Sequence, residues 1–108
     1  MKRSAKISIV LIAAVMVAMI WTNMNLKPNI ITPQDLCVQK CKDQLDAGTD
    51  LSNGPCLSNK LDSGWVCDVA HSPRTDVDNK LENQCSEYMK TAFHFVEVDP
   101  NCNFIRAV

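Results

Sequence analysis

Three hydrophobic patterns follow one another along the chain. The first is an unbroken apolar run from Ile7 to Trp21, extended by the uncharged residues Thr22 to Leu26. It gives about 20 residues, the length a helix needs to cross a hydrocarbon core. The second is a helical stripe in which Leu36, Cys37, Cys41, Gln44, Leu45 and Gly48 form an inner face, while Lys40, Lys42, Asp43 and Asp46 take the outer one. It predicts a helix from Pro33 to about Ala47, with Thr32 as N-cap, Pro33 at N1, Asp35 at N3, Ile31 stapled onto Leu36 and Gly48 as the stop. The third is short-range alternation. It predicts a strand over Trp65 to Ala70 and another over Ala92 to Val98, turned back at Asp99-Pro100-Asn101 into Cys102 to Val108 as a hairpin.

Between these elements, Thr49 to Ser63 reads as turn-rich, His71 to Gln84 as an irregular loop, and Cys85 to Lys90 as a helical turn. The expected fold class is therefore α+β: an N-terminal transmembrane helix, then a small disulfide-stapled domain with one main helix and a short antiparallel sheet. The expected boundaries are a cytoplasmic N-terminus at 1–6, a signal-anchor at 7–26, a linker at 27–31 and an extracytoplasmic domain at 32–108.

Charge sets the orientation of that arrangement. Lys2, Arg3 and Lys6 precede the apolar run and no acid occurs before Asp35, so the positive-inside bias predicts a single-pass protein of the cell membrane, N-terminus in and C-terminal domain out. Cleavage as a secretory signal is the rival reading. A cut after Ala18 would place Met16 at position -3, and a cut after Ala14 would place Ile12 there, neither the small residue that such sites use. Beyond Trp21 eight basic residues face all twelve acids, which offers nothing to a nucleic-acid backbone. No glycine-rich phosphate loop is present, and no cofactor is expected. Ala14 and Ala18, four residues apart, are a small-residue pair of the sort that helices in membranes pack through.

The cysteines change the picture most. All six, Cys37, Cys41, Cys56, Cys67, Cys85 and Cys102, lie in the outer part, and an even count in a small exported domain reads as a disulfide framework. The absence of any C-x-x-C pair argues against zinc-ribbon and thioredoxin-like sites. Cys37 and Cys41 project from one helix face and are expected to reach two different partners. The 15 pairings of six cysteines stay open; the preferred set joins Cys85 with Cys102, and Cys37 and Cys41 with Cys56 and Cys67 in some order.

The densest polar cluster is Asp68, His71, Arg74, Asp76 and Asp78. A Cys67 thiolate with His71 as base and Asp68 as orienter would be a hydrolase site, but alternation puts Asp68 on the opposite strand face, and a bridge at Cys67 removes the nucleophile. Asp76, Asp78, Asn79 and Glu82 supply oxygen ligands of the kind calcium takes, without an EF-hand pattern; the blander reading is a solvated acidic loop. His71 and His94 could join two cysteines around zinc, although no short ligand spacing supports it. Trp65, Tyr88, Phe93, Phe95 and Phe104 could form a peptide or sugar platform, and are expected to be core instead.

The segments Asn53 to Asn59, Gly64 to His71, Pro73-Arg74, Asp78-Asn79, Glu82 to Cys85 and Phe95 to Cys102 resemble a family of small archaeal membrane-anchored, cysteine-containing proteins. The resemblance implies an anchored extracytoplasmic domain and no activity. The reading that results is a non-enzymatic binding or structural module with a protein partner at the cell surface. Its alternatives are a thiol–disulfide or metal-handling protein with a labile Cys37 and Cys41 pair, and the Cys67 hydrolase.

Overall fold

The structure is a computed structural model that describes residues 29–108; the expected N-terminus, signal-anchor, Ala14 and Ala18 pair and the start of the linker lie outside the described residues. Among the described residues no helix is long and apolar enough to cross a membrane.

The helix α1 spans Pro33–Asp46. Its start is the expected capping box: the Asp35 N–H donates to Thr32 Oγ1 at 3.2 Å and the Thr32 N–H to Asp35 Oδ2 at 3.2 Å, which satisfies donors that the first turn leaves orphaned. Its end needs glycine. Gly48 adopts φ +81°, and the Gly48 and Thr49 N–H groups donate to the Leu45 and Gln44 carbonyls, both at 3.0 Å, as a Schellman stop requires. Only Cys37 and Cys41 of the inner face are fully buried; Leu45 is 41% exposed.

Four strands form one sheet in the order β1 (Cys56–Asp62), β2 (Trp65–Val69), β3 (His94–Val98) and β4 (Phe104–Ala107). β2, β3 and β4 fall where the alternation predicts, and β3 and β4 make the expected antiparallel hairpin. Two corrections follow. The sheet is mixed rather than antiparallel, because β2 and β3 pair in parallel. Parallel neighbours need a long crossover, and residues 70–93, expected as loop and helical turn, supply it; they contain two short 3₁₀ turns, Asp76–Asn79 and Leu81–Asn83. The region around Tyr88 is a series of turns rather than a helical one.

The other correction is β1, expected to be loop. Leu57-Ser58-Asn59-Lys60-Leu61 has little strand propensity, and its extended form follows from antiparallel pairing with β2 across the two-residue turn Ser63-Gly64.

Strand parity divides the sheet into two faces. Cys67, Val69, Val96 and Val98 point to the first, where they bury with Cys37, Cys41, Leu51 and Cys102 beneath α1. Val66 and Phe95 point to the second, with Cys85, Ala92, Cys56 and Tyr88 of the flanking segments. The expected aromatic core is therefore corrected: valine and cystine fill the centre, Trp65, Tyr88 and Phe95 pack at its margins, and Phe93 and Phe104 are exposed.

All six cysteines are paired, as Cys37–Cys67, Cys41–Cys102 and Cys56–Cys85. The helix cysteines do reach different partners. The favoured Cys85–Cys102 pair does not form, because Cys102 lies in the cluster under the helix and Cys85 in the cluster on the other face, with the sheet between them.

Candidate functional site

A cleft of about 170 Å³ opens on the second face of the sheet. Val66 and Asp68 of β2, Phe95 and Glu97 of β3 and Arg106 of β4 make its floor. Arg74, Gln84, Cys85 and Tyr88 of the crossover make its wall. Register explains the charges it gathers: Asp68 and Glu97 are Cα partners across β2 and β3, and Glu97 and Arg106 are partners across β3 and β4. One row across three strands thus holds two acids and a base.

Glu97 is 6% exposed and has a guanidinium at each oxygen. Its Oε1 accepts from Arg106 Nη2 at 2.9 Å and Nε at 3.2 Å, and its Oε2 lies 3.5 Å from Arg74 Nη1. Arg74 is also fixed to the crossover, donating through Nε to Asn79 Oδ1 at 2.8 Å and through Nη2 to the Asp78 carbonyl at 3.2 Å. Arg106 stands over the Phe95 ring at 5.2 Å, and Tyr88 meets that ring edge-on. Guanidinium against an aromatic face is attractive and keeps the side chain in place.

Asp68 differs from its neighbour. Its Oδ1 is buried with no hydrogen-bond partner. Burial first, and then the adjacent Glu97 charge, push its carboxyl up to about 8, against the opposing pull of Arg74. At neutral pH it is mostly the neutral acid, able to donate a proton to a hydrogen bond.

A second polar arrangement adjoins this cleft through Arg74. Asp78 is 2% exposed and accepts from the His71 and Thr75 N–H groups at 3.0 and 2.9 Å, while its Oδ1 lies 2.8 Å from His71 Nδ1. Burial raises the Asp78 carboxyl, and the hydrogen bonds from Thr75 and His71 outweigh it to give a net lowering. An ionised carboxylate only accepts, so Nδ1 carries the hydrogen. Gly54 makes room for this carboxylate: with φ +67°, a Cβ there would sit 2.6 Å from Asp78 Oδ1 and 3.0 Å from the Val69 carbonyl.

The sequence-derived cluster is therefore split. Asp68 and Arg74 reach the cleft, His71 and Asp78 form the pair behind it, and Asp76 stays on the exposed surface. The Cys67 triad does not assemble: Cys67 is bonded to Cys37 and fully buried, and the carboxylate on His71 is Asp78. Nor are Cys37 and Cys41 a dithiol, each being bonded elsewhere. The expected calcium loop turns Asp78 inward and commits Asn79 to Arg74, while His94 stacks on Trp65; among the described residues no group of three or more His, Cys, Asp or Glu side chains is placed to hold a metal ion. Glu97, Arg106 and Gln84 are not singled out by the sequence, whereas Tyr88 and Phe95 of the aromatic set named there do line the cleft. The signal available was a charged residue inside each of two apolar runs, Val66-Cys67-Asp68-Val69 and Phe95-Val96-Glu97-Val98.

No family model, curated protein or solved structure matches this chain.

Proposed function

We propose that the chain is a membrane-tethered extracytoplasmic binding module, without catalytic chemistry of its own, that engages its ligand or partner through the cleft on the second sheet face. The tether rests on the apolar run from Ile7 to Leu26 and the basic residues before it. Three bridges in a domain of this size suit an oxidising compartment outside the cytoplasm. The single observation that carries the binding role is the cleft itself. A sheet face that could be closed by apolar packing instead holds Asp68, Glu97, Arg74 and Arg106 around an open volume, one carboxyl of which is unsatisfied. Such a group costs stability, roughly 1–3 kcal/mol for a buried polar atom left unpaired, and an open cleft that gathers a few polar groups is where a ligand is bound.

The test uses the full chain in its native membrane. Protease added outside intact cells should reach the residues after Leu26, and a photoreactive residue at Gln84, on the cleft wall, should give an adduct that the same residue at Lys42 on the outer face of α1 does not. An adduct at both positions, or protection of the domain from external protease, would defeat the reading.

A further inference from the structure

The free valences of the cleft specify what it can accept. Glu97 has a guanidinium at each oxygen, and Arg74 places each of its three nitrogens on an acceptor within the fold, which leaves one N–H on each of Nη1 and Nη2. Arg106 uses Nε and Nη2 on Glu97 and is 55% exposed, so its Nη1 edge remains for a ligand. Asp68 lines the cleft and is partly exposed although its Oδ1 is buried. Oδ1 is buried without a hydrogen-bond partner, so a proton on this carboxyl can be donated to a ligand only from Oδ2. The groups left for a ligand are thus hydrogen-bond donors, set among two guanidiniums and one committed carboxylate. That set repels an amine and leaves one positive charge unbalanced. Beside it, Tyr88 and Phe95 offer an aromatic wall.

We propose that the cleft receives a small organic monocarboxylate, its anionic end held by the outer edge of Arg106 and by the Asp68 carboxyl acting as a hydrogen-bond donor, with its apolar part against Tyr88. The proposal rests on the reading of this face as the binding face and adds the ligand class. Charge-assisted bonds from guanidinium to carboxylate are the strong ones, and partial enclosure raises their worth. Binding is proton-linked, because ionised Asp68 would present a second negative charge to the ligand. The charged and titratable groups around it are Glu97 of β3, Arg106 of β4, and Arg74, Asp78 and Tyr88 of the crossover; β1 contributes Cys56, which is bonded and does not titrate.

Calorimetric titration of the oxidised full-length chain in detergent with benzoate, from pH 6 to 10, tests this, with acetate, benzamidine and glucose as comparators. Benzoate should bind more tightly than acetate, and its affinity should fall roughly tenfold per pH unit once the solution passes the titration of Asp68 near pH 8. Asp68→Asn should flatten that profile, since asparagine keeps an N–H donor and cannot ionise. Arg106→Met should weaken binding at least tenfold. If Arg106→Met fails to fold, the Asp68→Asn profile decides alone. The ligand class is overturned by benzamidine binding in place of benzoate, by a pH profile that Asp68→Asn leaves unchanged, by indifference to Arg106→Met, or by no carboxylate binding at all. Benzamidine or glucose bound at the cleft would leave the binding face standing, and only the combined absence of small-ligand binding and of a Gln84 adduct would remove both readings.

Discussion

The two faces of the sheet solve the same problem with opposite materials. Under α1 the face is dry: Cys67, Val69, Val96 and Val98 bury against a helix pinned by two bridges, Cys37–Cys67 and Cys41–Cys102. Under the crossover the same two central strands present Asp68 and Glu97, one bridge, Cys56–Cys85, and a cleft. Because alternate side chains of a strand point to opposite faces, residues adjacent in sequence belong to regions of different function. The helix face holds the strands in register. The crossover face is thereby free to carry charges that contribute little to stability.

The bridges provide the sharpest way to test that division. Cys37–Cys67 and Cys56–Cys85 span 30 and 29 residues, so their loop-closure terms are nearly equal, about 3.6 kcal/mol each. Cys37 and Cys67 are fully buried, whereas Cys56 is half-buried, so removal of the first pair also leaves a void. We expect Cys37→Ala with Cys67→Ala to cost about 5 kcal/mol and Cys56→Ala with Cys85→Ala about 3.5, compared by denaturant unfolding of the oxidised proteins. Equal costs would mean that the helix face packs no better than the crossover face. Next in size is Gly54→Ala, whose Cβ meets the Asp78 carboxylate and the Val69 carbonyl at a positive φ; we expect a loss of about 2–3 kcal/mol, measured by thermal unfolding. A near-neutral result would show that the His71 and Asp78 pair yields easily.

The helix face was the more legible in the sequence, for a physical reason. Thr32, Pro33, Asp35 and Gly48 act on local backbone, so their pattern specifies α1 without knowledge of anything else. The alternation in β2 and β3 specifies which residues are buried, but alternation is silent about neighbours, and so the parallel pairing and the bridge partners of Cys41, Cys56 and Cys85 were not legible. β1 has no strong pattern because it is an edge strand held by pairing. The cleft depends on register. Asp68 meets Glu97, and Glu97 meets Arg106, only after three strands are aligned, whereas closeness along the chain groups Asp68 and Arg74 with His71 and Asp76 instead.

Acidity offers a test confined to the second face. The raised Asp68 carboxyl binds its proton more tightly in the folded state than in the unfolded chain, so the stability it confers is present below pH 4 and is lost as pH rises to about 8. The lowered Asp78 and Asp99 carboxyls act in the opposite sense, their contribution being present above pH 4 and lost as pH falls through their folded-state values. Stability should therefore be greatest near pH 4, where the Asp78 and Asp99 contributions are present and the Asp68 contribution is not yet lost. Asp68→Asn should raise stability on the order of 2 kcal/mol at pH 7 and flatten the alkaline limb while leaving the acid limb in place, as followed by thermal unfolding across pH. An unchanged alkaline limb would assign it to another group.

The smallest expected effect returns to the helix face and asks how far its bridges already hold it. Thr32→Ala removes the hydroxyl that accepts from the Asp35 N–H, a change that costs about 1 kcal/mol at an ordinary helix N-terminus. The first bridge to the sheet is at Cys37, only one turn further along α1, and the second at Cys41 follows on the same side. With both closed, loss of the cap should fray only the turn before Cys37, and amide exchange should quicken there without spreading past Cys41. With Cys41 and Cys102 both replaced by alanine, the same substitution should loosen the whole of α1. A Thr32→Ala effect that reaches the C-terminal turn with both bridges intact would show that the capping box, and not the pair of bridges, holds the dry face together.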